Sequence, residues 1–214
     1  MKQRLQIFAR APEEGQCKTR LIPALGAAGA ARLQRAFIAH ALATAKRWRD
    51  TGDDRDVELW CAPDVSHAFF ADCARGQAVA LRDQASGDLG ARMWLALTSA
   101  LQEGRRPVLI GTDCPWLEPE HVEMLQQALQ DHDAGFIEAE DGGYVAVGLA
   151  RAVPELFAGV AWSTARVMRE TRDRAARCGA RIAVTGRLPD VDLPADLARL
   201  RSDVRYASLL AEPA

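Results

Sequence analysis

The sequence predicts an α/β fold, a three-layer sandwich with a mostly parallel but mixed sheet, over residues 1–214 as one domain. Three observations predict it. Short β-branched or apolar runs alternate with longer helical patterns, as in a sheet covered by helices on both faces. The length suits one domain at about 150 residues per domain. Two strand-like runs, 134–137 and 144–149, lie too close together for a crossover helix of about a dozen residues, so one strand runs against the others.

Strands are expected at 5–9, 57–62, 78–82, 108–111, 134–137, 144–149 and 181–184. Between the first two, Leu33, Phe37, Ile38, Ala41, Leu42, Ala45 and Trp48 recur at spacings of three and four, one apolar helical stripe that belongs to the core. Helices follow at 89–102, 119–130, 164–177 and 194–201, with Pro119 and Pro194 in first turns, where a missing N–H is harmless. No repeat or low-complexity linker interrupts this alternation.

Hydrophobic residues make up 49% and charged residues 26%, which excludes disordered and fibrous classes. A formal net charge of -2 argues against a nucleic-acid groove, which would be broadly basic. The basic stretch 166–181 reads as the solvated face of a helix. The five cysteines, Cys17, Cys61, Cys73, Cys114 and Cys178, are odd in number and form no C-x-x-C pair, so neither a disulfide framework nor a zinc knuckle is expected, and a reducing, cytoplasmic setting fits. No apolar run approaches the ~20 residues of a membrane span, and no apolar leader precedes the first strand.

Five loops carry chemistry. Residues 10–20 follow the first strand and precede a helix, an arrangement that presents backbone N–H groups to an anion, with Lys18 and Arg20 adding positive charge. A Walker A loop is excluded, since its glycines would fall at Pro12 and Cys17. Residues 84–90 place two glycines around Asp88, a sharp turn at a ligand or a helix cap. Residues 108–116 deliver Asp113 to the carboxyl end of a buried strand, where a carboxylate holds Mg²⁺ or Mn²⁺ together with substrate phosphates, or caps the following turn. Neighbouring Cys114 has no histidine near it in sequence and reads as a packed thiol.

In the fourth loop, Glu140 and Asp141 meet Gly142 and Gly143 between adjacent strands. The acids suit a general base or a metal partner, and the glycines suit a close approach to a sugar; Asp-Gly is also a strong turn signal. The fifth loop carries Asp190 and Asp192 on one face if extended, about 7 Å apart, where their repulsion at an effective dielectric near 20 is about 2.4 kcal/mol. A cation or basic neighbour would relieve it. No G-x-S-x-G elbow or H-E-x-x-H occurs, and His40, His67, His121 and His132 fall in helical patterns, so hydrolase and zinc-enzyme readings fall away.

Taken together, the loops resemble a bacterial family of predicted glycosyltransferases of the glycosyltransferase-A, or nucleotide-diphospho-sugar transferase, fold, whose relatives include enzymes assigned to arsenosugar biosynthesis. The resemblance rests on Pro12, Gly15, Lys18-Thr19-Arg20-Leu21, Gly87-Asp88-Leu89-Gly90 with Arg92-Met93, Gly111-Thr112-Asp113-Cys114-Pro115, Asp141-Gly142-Gly143-Tyr144, Trp162-Ser163-Thr164 and Asp190-Val191-Asp192. It implies that Asp113 stands in for the metal-binding acidic motif of such transferases and that Lys18 and Arg20 meet the diphosphate. For glycosyl transfer, one of Asp190 or Asp192 is expected to join Asp113 on Mg²⁺ or Mn²⁺, and Asp141 or Glu140 to deprotonate the acceptor. Substrate and nucleotide would meet Arg10, Gly15, Lys18, Arg20, Asp88, Gly142, Gly143 and Tyr144. Arg10 stands where the family pattern has lysine, Leu193 stands where a hydroxyl cap commonly precedes the last helix, and Ile137-Glu138 replaces a proline-bearing lead-in.

Three functions are therefore expected to compete. The first is metal-dependent glycosyl transfer from a nucleotide sugar to a small-molecule acceptor. The second is nucleotidyl transfer, releasing pyrophosphate from a nucleoside triphosphate. For the second, Gly15-x-x-Lys18 fits, but Ala9-Arg10 replaces the usual double glycine and Glu13 the usual arginine. The third is a non-catalytic nucleotide-binding protein.

Overall fold

In the computed structural model, which describes residues 1–75 and 77–210, a seven-stranded sheet forms the middle layer. Its strands are β1 (Lys2–Arg10), β2 (Arg55–Ala62), β3 (Ala80–Asp83), β4 (Arg105–Ile110), β5 (Ala134–Ala139), β6 (Tyr144–Leu149) and β7 (Ile182–Leu188). They lie in the order β3-β2-β1-β4-β6-β5-β7. Only β6 runs antiparallel to its neighbours β4 and β5; the remaining pairings are parallel. The short connection between β5 and β6 thus does what its length dictates, closing an antiparallel pair.

The helices are α1 (Ile22–Arg49), α2 (Ala68–Ala74), α3 (Leu89–Gln102), α4 (Pro119–Ala128), α5 (Val167–Cys178) and α6 (Asp196–Ser202). Strand side chains alternate between faces. Leu5, Ile7 and Ala9 pack with Phe37 and Trp48 of α1, Leu125 of α4 and Leu197 of α6. Phe8 and Leu109 turn the other way, towards Met93 and Leu97 of α3 and Met168 of α5. The stripe from Leu33 to Trp48 is buried as its spacing requires.

Most strand and helix ends shift from expectation by a few residues, and four differences bear on how the chain is laid out. α2 has only seven residues and shows no sustained period; His67 is its N-cap rather than a helical residue, accepting from the Phe69 N–H at 3.3 Å. α5 starts at Val167, because residues 160–166 fold back irregularly, with Ser163 at φ 60°. α6 starts at Asp196, beyond Pro194, and the Asp196 carboxylate accepts from the Asp192 and Leu193 N–H groups at 3.0 and 2.7 Å. Asp196 therefore finds backbone partners although Leu193 offers no hydroxyl. Finally, β7 continues past its expected end to Leu188, carried by pairing with β5 as far as Ala139, and so brings Asp190 and Asp192 to the edge where β4 ends.

A charged network crosses β1, β2 and β3 beneath α3. Glu58, 2% exposed, accepts from Gln6 Nε2 and Trp60 Nε1 and pairs with Arg4 and Arg82, all at 3.0–3.1 Å. Burial of this carboxylate is tolerable because every partner is a donor.

Candidate active site

In open α/β sheets the crevice lies beyond the carboxyl ends of the strands, where neighbouring strands lead away in opposite directions. Here that point falls between β1, followed in the sheet by β2 and β3, and β4. A cleft of about 460 Å³ opens there, lined by Arg10, Lys18, Arg20, Asp113, Tyr144, Asp190 and Asp192, with Phe8, Leu89, Met93 and Leu109 among its apolar walls. Because β6 is reversed, its first residue, Tyr144, lies at this end rather than its last.

Lys18 holds the acidic side together. Its backbone is left-handed, φ 46° and ψ 39°, a conformation that costs a non-glycine residue about 1 kcal/mol or more. The ammonium lies 2.9 Å from Asp113 Oδ1 and 3.4 Å from Asp192 Oδ1, and donates to the Val191 carbonyl at 2.6 Å. It also sits 5.3 Å from the centre of the Phe37 ring, a cation–π contact. Arg20 Nη1 reaches Asp192 Oδ2 at 3.3 Å. The Val191 N–H donates to the Asp113 carbonyl at 2.9 Å, so the loops after β4 and β7 are tied through their backbones. Buried Val191 lies between Asp190 and Asp192, as their alternation requires.

Among the described residues Asp190 has no such counter-ion. Burial, then the charges of Asp141, Asp192 and Asp113, push its carboxyl from 3.8 up to about 6. Cys114 is buried, and that burial, reinforced by Asp190, pushes its thiol up to about 12, an inert packed group.

The opposite wall is basic. Arg10 forms no ion pair among the described residues. Arg92 donates to Gln84 Oε1 at 3.0 Å, and burial, then the nearby Arg10 charge, lower its pKa. Gln84 is itself fixed, donating to the Ala9 and Trp60 carbonyls at 3.3 and 2.9 Å. Gln34 spans the two central strands, from the Arg10 carbonyl at 3.1 Å to Thr112 Oγ1 at 3.5 Å. Sequence reasoning assigns Gln84, Gln34 and Arg92 no role in the site. Arg92 had a signal, its place in the glycine-rich motif at the start of α3, and Gln84 had a weaker one, its place at the head of the loop 84–90; Gln34 had none.

Several expected site residues stand outside the lining. Asp88 is the N-cap of α3, accepting from the Ala91 N–H at 2.8 Å. Glu140 pairs with Arg199 at 2.7 Å. Asp141 is exposed and accepts from the Gly143 N–H at 2.8 Å, reaching the cleft through its charge on Asp190. The glycines beside it serve the fold: Gly142 has φ 94°, and a Cβ there would stand 2.3 Å from the Ala165 carbonyl oxygen, so its smoothness accommodates protein backbone where a sugar was expected. Gly15 likewise takes a positive φ of 76° within its loop. Tyr144 does line the cleft; burial pushes its phenol well up, and its ring meets Trp162 edge-on at 6.2 Å.

A mixed sheet of this order, with a charged cleft at the switch between β1 and β4, defines the nucleotide-diphospho-sugar transferase fold. The chain belongs to the family described as "Uncharacterized protein conserved in bacteria (DUF2064)", whose model matches residues 44–164. No curated protein matches it. Among solved structures it is similar to a protein of Desulfovibrio desulfuricans G20 assigned as a nucleotide-diphospho-sugar transferase, with 28% identity, 98% of this chain and 97% of that one covered, and a TM-score of 0.83. The fold is shared with Rv0371c of Mycobacterium tuberculosis H37Rv in complex with manganese (15% identity, coverage 94% and 100%, TM-score 0.54). It is shared also with a cytidylyltransferase of Leptospira borgpetersenii serovar Hardjo-bovis (15% identity, coverage 96% and 87%, TM-score 0.59).

Proposed function

We propose that this protein is a metal-dependent glycosyltransferase that takes a nucleotide-sugar donor and a small-molecule acceptor. One observation carries the reading: acids and cations face each other across a single cleft, Asp113, Asp190 and Asp192 on one side and Arg10 and Arg92 on the other. A diphosphate between them would satisfy both walls. Kinship with the arsenosugar-assembling transferases falls within the same reading.

The acidic side fits Mg²⁺ or Mn²⁺ by donor chemistry, hard carboxylate oxygens among which Asp190 is lifted first by burial and then by the charges of its acidic neighbours. Among the described residues no group of three acidic, histidine or cysteine side chains is gathered tightly enough to hold an ion alone, so an ion here would need substrate phosphate oxygens as further ligands. Asp113 and Asp192 would hold it. When bound, such an ion stabilises the departing diphosphate as a Lewis acid. Arg10, Arg20 and Arg92 bind and orient the phosphates. Asp141, exposed beside Asp190, accepts the acceptor hydroxyl proton; Glu140 is the weaker candidate because Arg199 engages it.

A second reading, nucleotidyl transfer with release of pyrophosphate, is favoured by the fold shared with the cytidylyltransferase and by Gly15-x-x-Lys18. Titration calorimetry with nucleoside diphosphates, triphosphates and sugar nucleotides, with and without Mn²⁺, separates the two. Sugar nucleotides are expected to bind in the presence of Mn²⁺, and Asp113→Ala to weaken that binding at least tenfold. A triphosphate that is cleaved to pyrophosphate, with sugar nucleotides failing to bind, overturns the glycosyltransferase reading.

A further inference from the structure

The chain has only three lysines among its 27 basic residues, Lys2, Lys18 and Lys46. Lys2 and Lys46 are surface groups in exposed ion pairs, with side chains 57% and 60% exposed. Lys18 is 4% exposed and stands between two acids that remain open to solvent, Asp113 at 44% and Asp192 at 39%. In a chain whose basic residues are mostly arginine, the buried position between two carboxylates holds the compact point charge. A planar guanidinium would meet carboxylates side-on as a fork; an ammonium can donate to three oxygens around one centre. The three oxygens are present: Asp113 Oδ1, Asp192 Oδ1 and the Val191 carbonyl, at 2.9, 3.4 and 2.6 Å. The left-handed backbone at Lys18 is maintained while the side chain is aimed inward, a local cost that tertiary contacts offset.

We propose that Lys18 is the resident counter-ion of this cleft: its ammonium takes the position between Asp113 and Asp192 that a divalent cation would need, so the cation enters only together with phosphate. This rests on the metal-and-nucleotide reading of the site. A divalent ion approaching the two aspartates on its own meets a buried positive charge that has no solvent to retreat into. Phosphate supplies the alternative partner. Once its oxygens stand in the cleft, the ammonium has an anion to move to, and the aspartates are freed for the cation. The ligand of the cleft is therefore the cation–phosphate complex, and free cation is rejected. Lys18 acts on the cation through Asp113 and Asp192, which makes it a positioning residue toward the ion.

The test compares Mn²⁺ binding, without nucleotide, to the wild type and to Lys18→Met by electron paramagnetic resonance. The variant is expected to bind Mn²⁺ at least tenfold more tightly than the wild type, and Lys18→Met/Asp113→Asn to lose the gain. Equal affinity of wild type and Lys18→Met, or a gain that survives in the double variant, overturns the proposal. If Lys18→Met does not fold, wild-type protein labelled with ¹⁵N-lysine decides, since it gives only three ammonium signals. Mg²⁺ alone is expected to leave the Lys18 signal in place, and a signal displaced by Mg²⁺ alone refutes the mechanism. Adding Mg²⁺ with inorganic pyrophosphate tests the parent reading separately: pyrophosphate that does not bind counts against the nucleotide site, while the Mn²⁺ comparison judges Lys18 on its own.

Discussion

At the scale of single residues, Asp190 and Lys18 show how differently two groups of one cleft can be read. Asp190 carries a carboxyl raised from 3.8 to about 6, so the folded protein holds this proton to higher pH than the unfolded chain does. Stability attached to the neutral form is present at low pH and is lost as pH rises from about 4 to about 6. Asp190→Asn removes the charged form. It is expected to melt higher than the wild type at pH 7, by about 1 kcal/mol after solvent screening, with the two converging near pH 4. Thermal unfolding across that range checks it, and no difference at pH 7 contradicts it. The acidic character of Asp113, Asp190 and Asp192 was legible because strand ends and spacing place carboxylates without knowledge of tertiary contacts. The partner of Lys18 was not. Its nearest carbonyl belongs to Val191, 173 positions away, and only the paired strands bring the two together.

Elements reveal a second division, between loops that serve a ligand and loops that serve the packing of the chain. Asp88 belongs to the second kind. Asp88→Ala is expected to cost about 1 kcal/mol through loss of the cap on α3, while nucleotide affinity measured by calorimetry changes less than twofold. A large loss of affinity with unchanged stability would restore it to the site. Gly142→Ala is expected to destabilise by about 2 kcal/mol or more, since the added methyl meets the Ala165 carbonyl and φ is positive; denaturant unfolding reads this directly. Long periodic elements such as α1 and α3 were legible because their stripes repeat over several turns. Residues 164–166 were read as the start of a helix, since the course of the irregular stretch 160–166 is set by contacts that sequence spacing does not show. Trp162 packs there against Gly90, whose missing side chain leaves the indole its room.

For the molecule as a whole, the sheet order was legible only in part. Seven strand-like runs and one connection too short for a crossover pointed to a mixed sheet, but periodicity holds no information on which strands become neighbours. The network around Glu58 shows what the unread part contains. It joins three strands beneath α3, and Glu58→Ala would leave Arg4 and Arg82 facing a cavity with one shared anion removed. A loss of about 3 kcal/mol or more is expected by urea denaturation, with nucleotide binding retained in whatever fraction is folded. The backbone tie between Asp113 and Val191 has a temporal consequence as the chain leaves the ribosome. The loop after β4 is synthesised long before β7 exists, and until β7 pairs with β5 the acids of the cleft stand apart. The acidic side of the cleft is thus assembled in one late step of folding, after every residue that forms it has been synthesised.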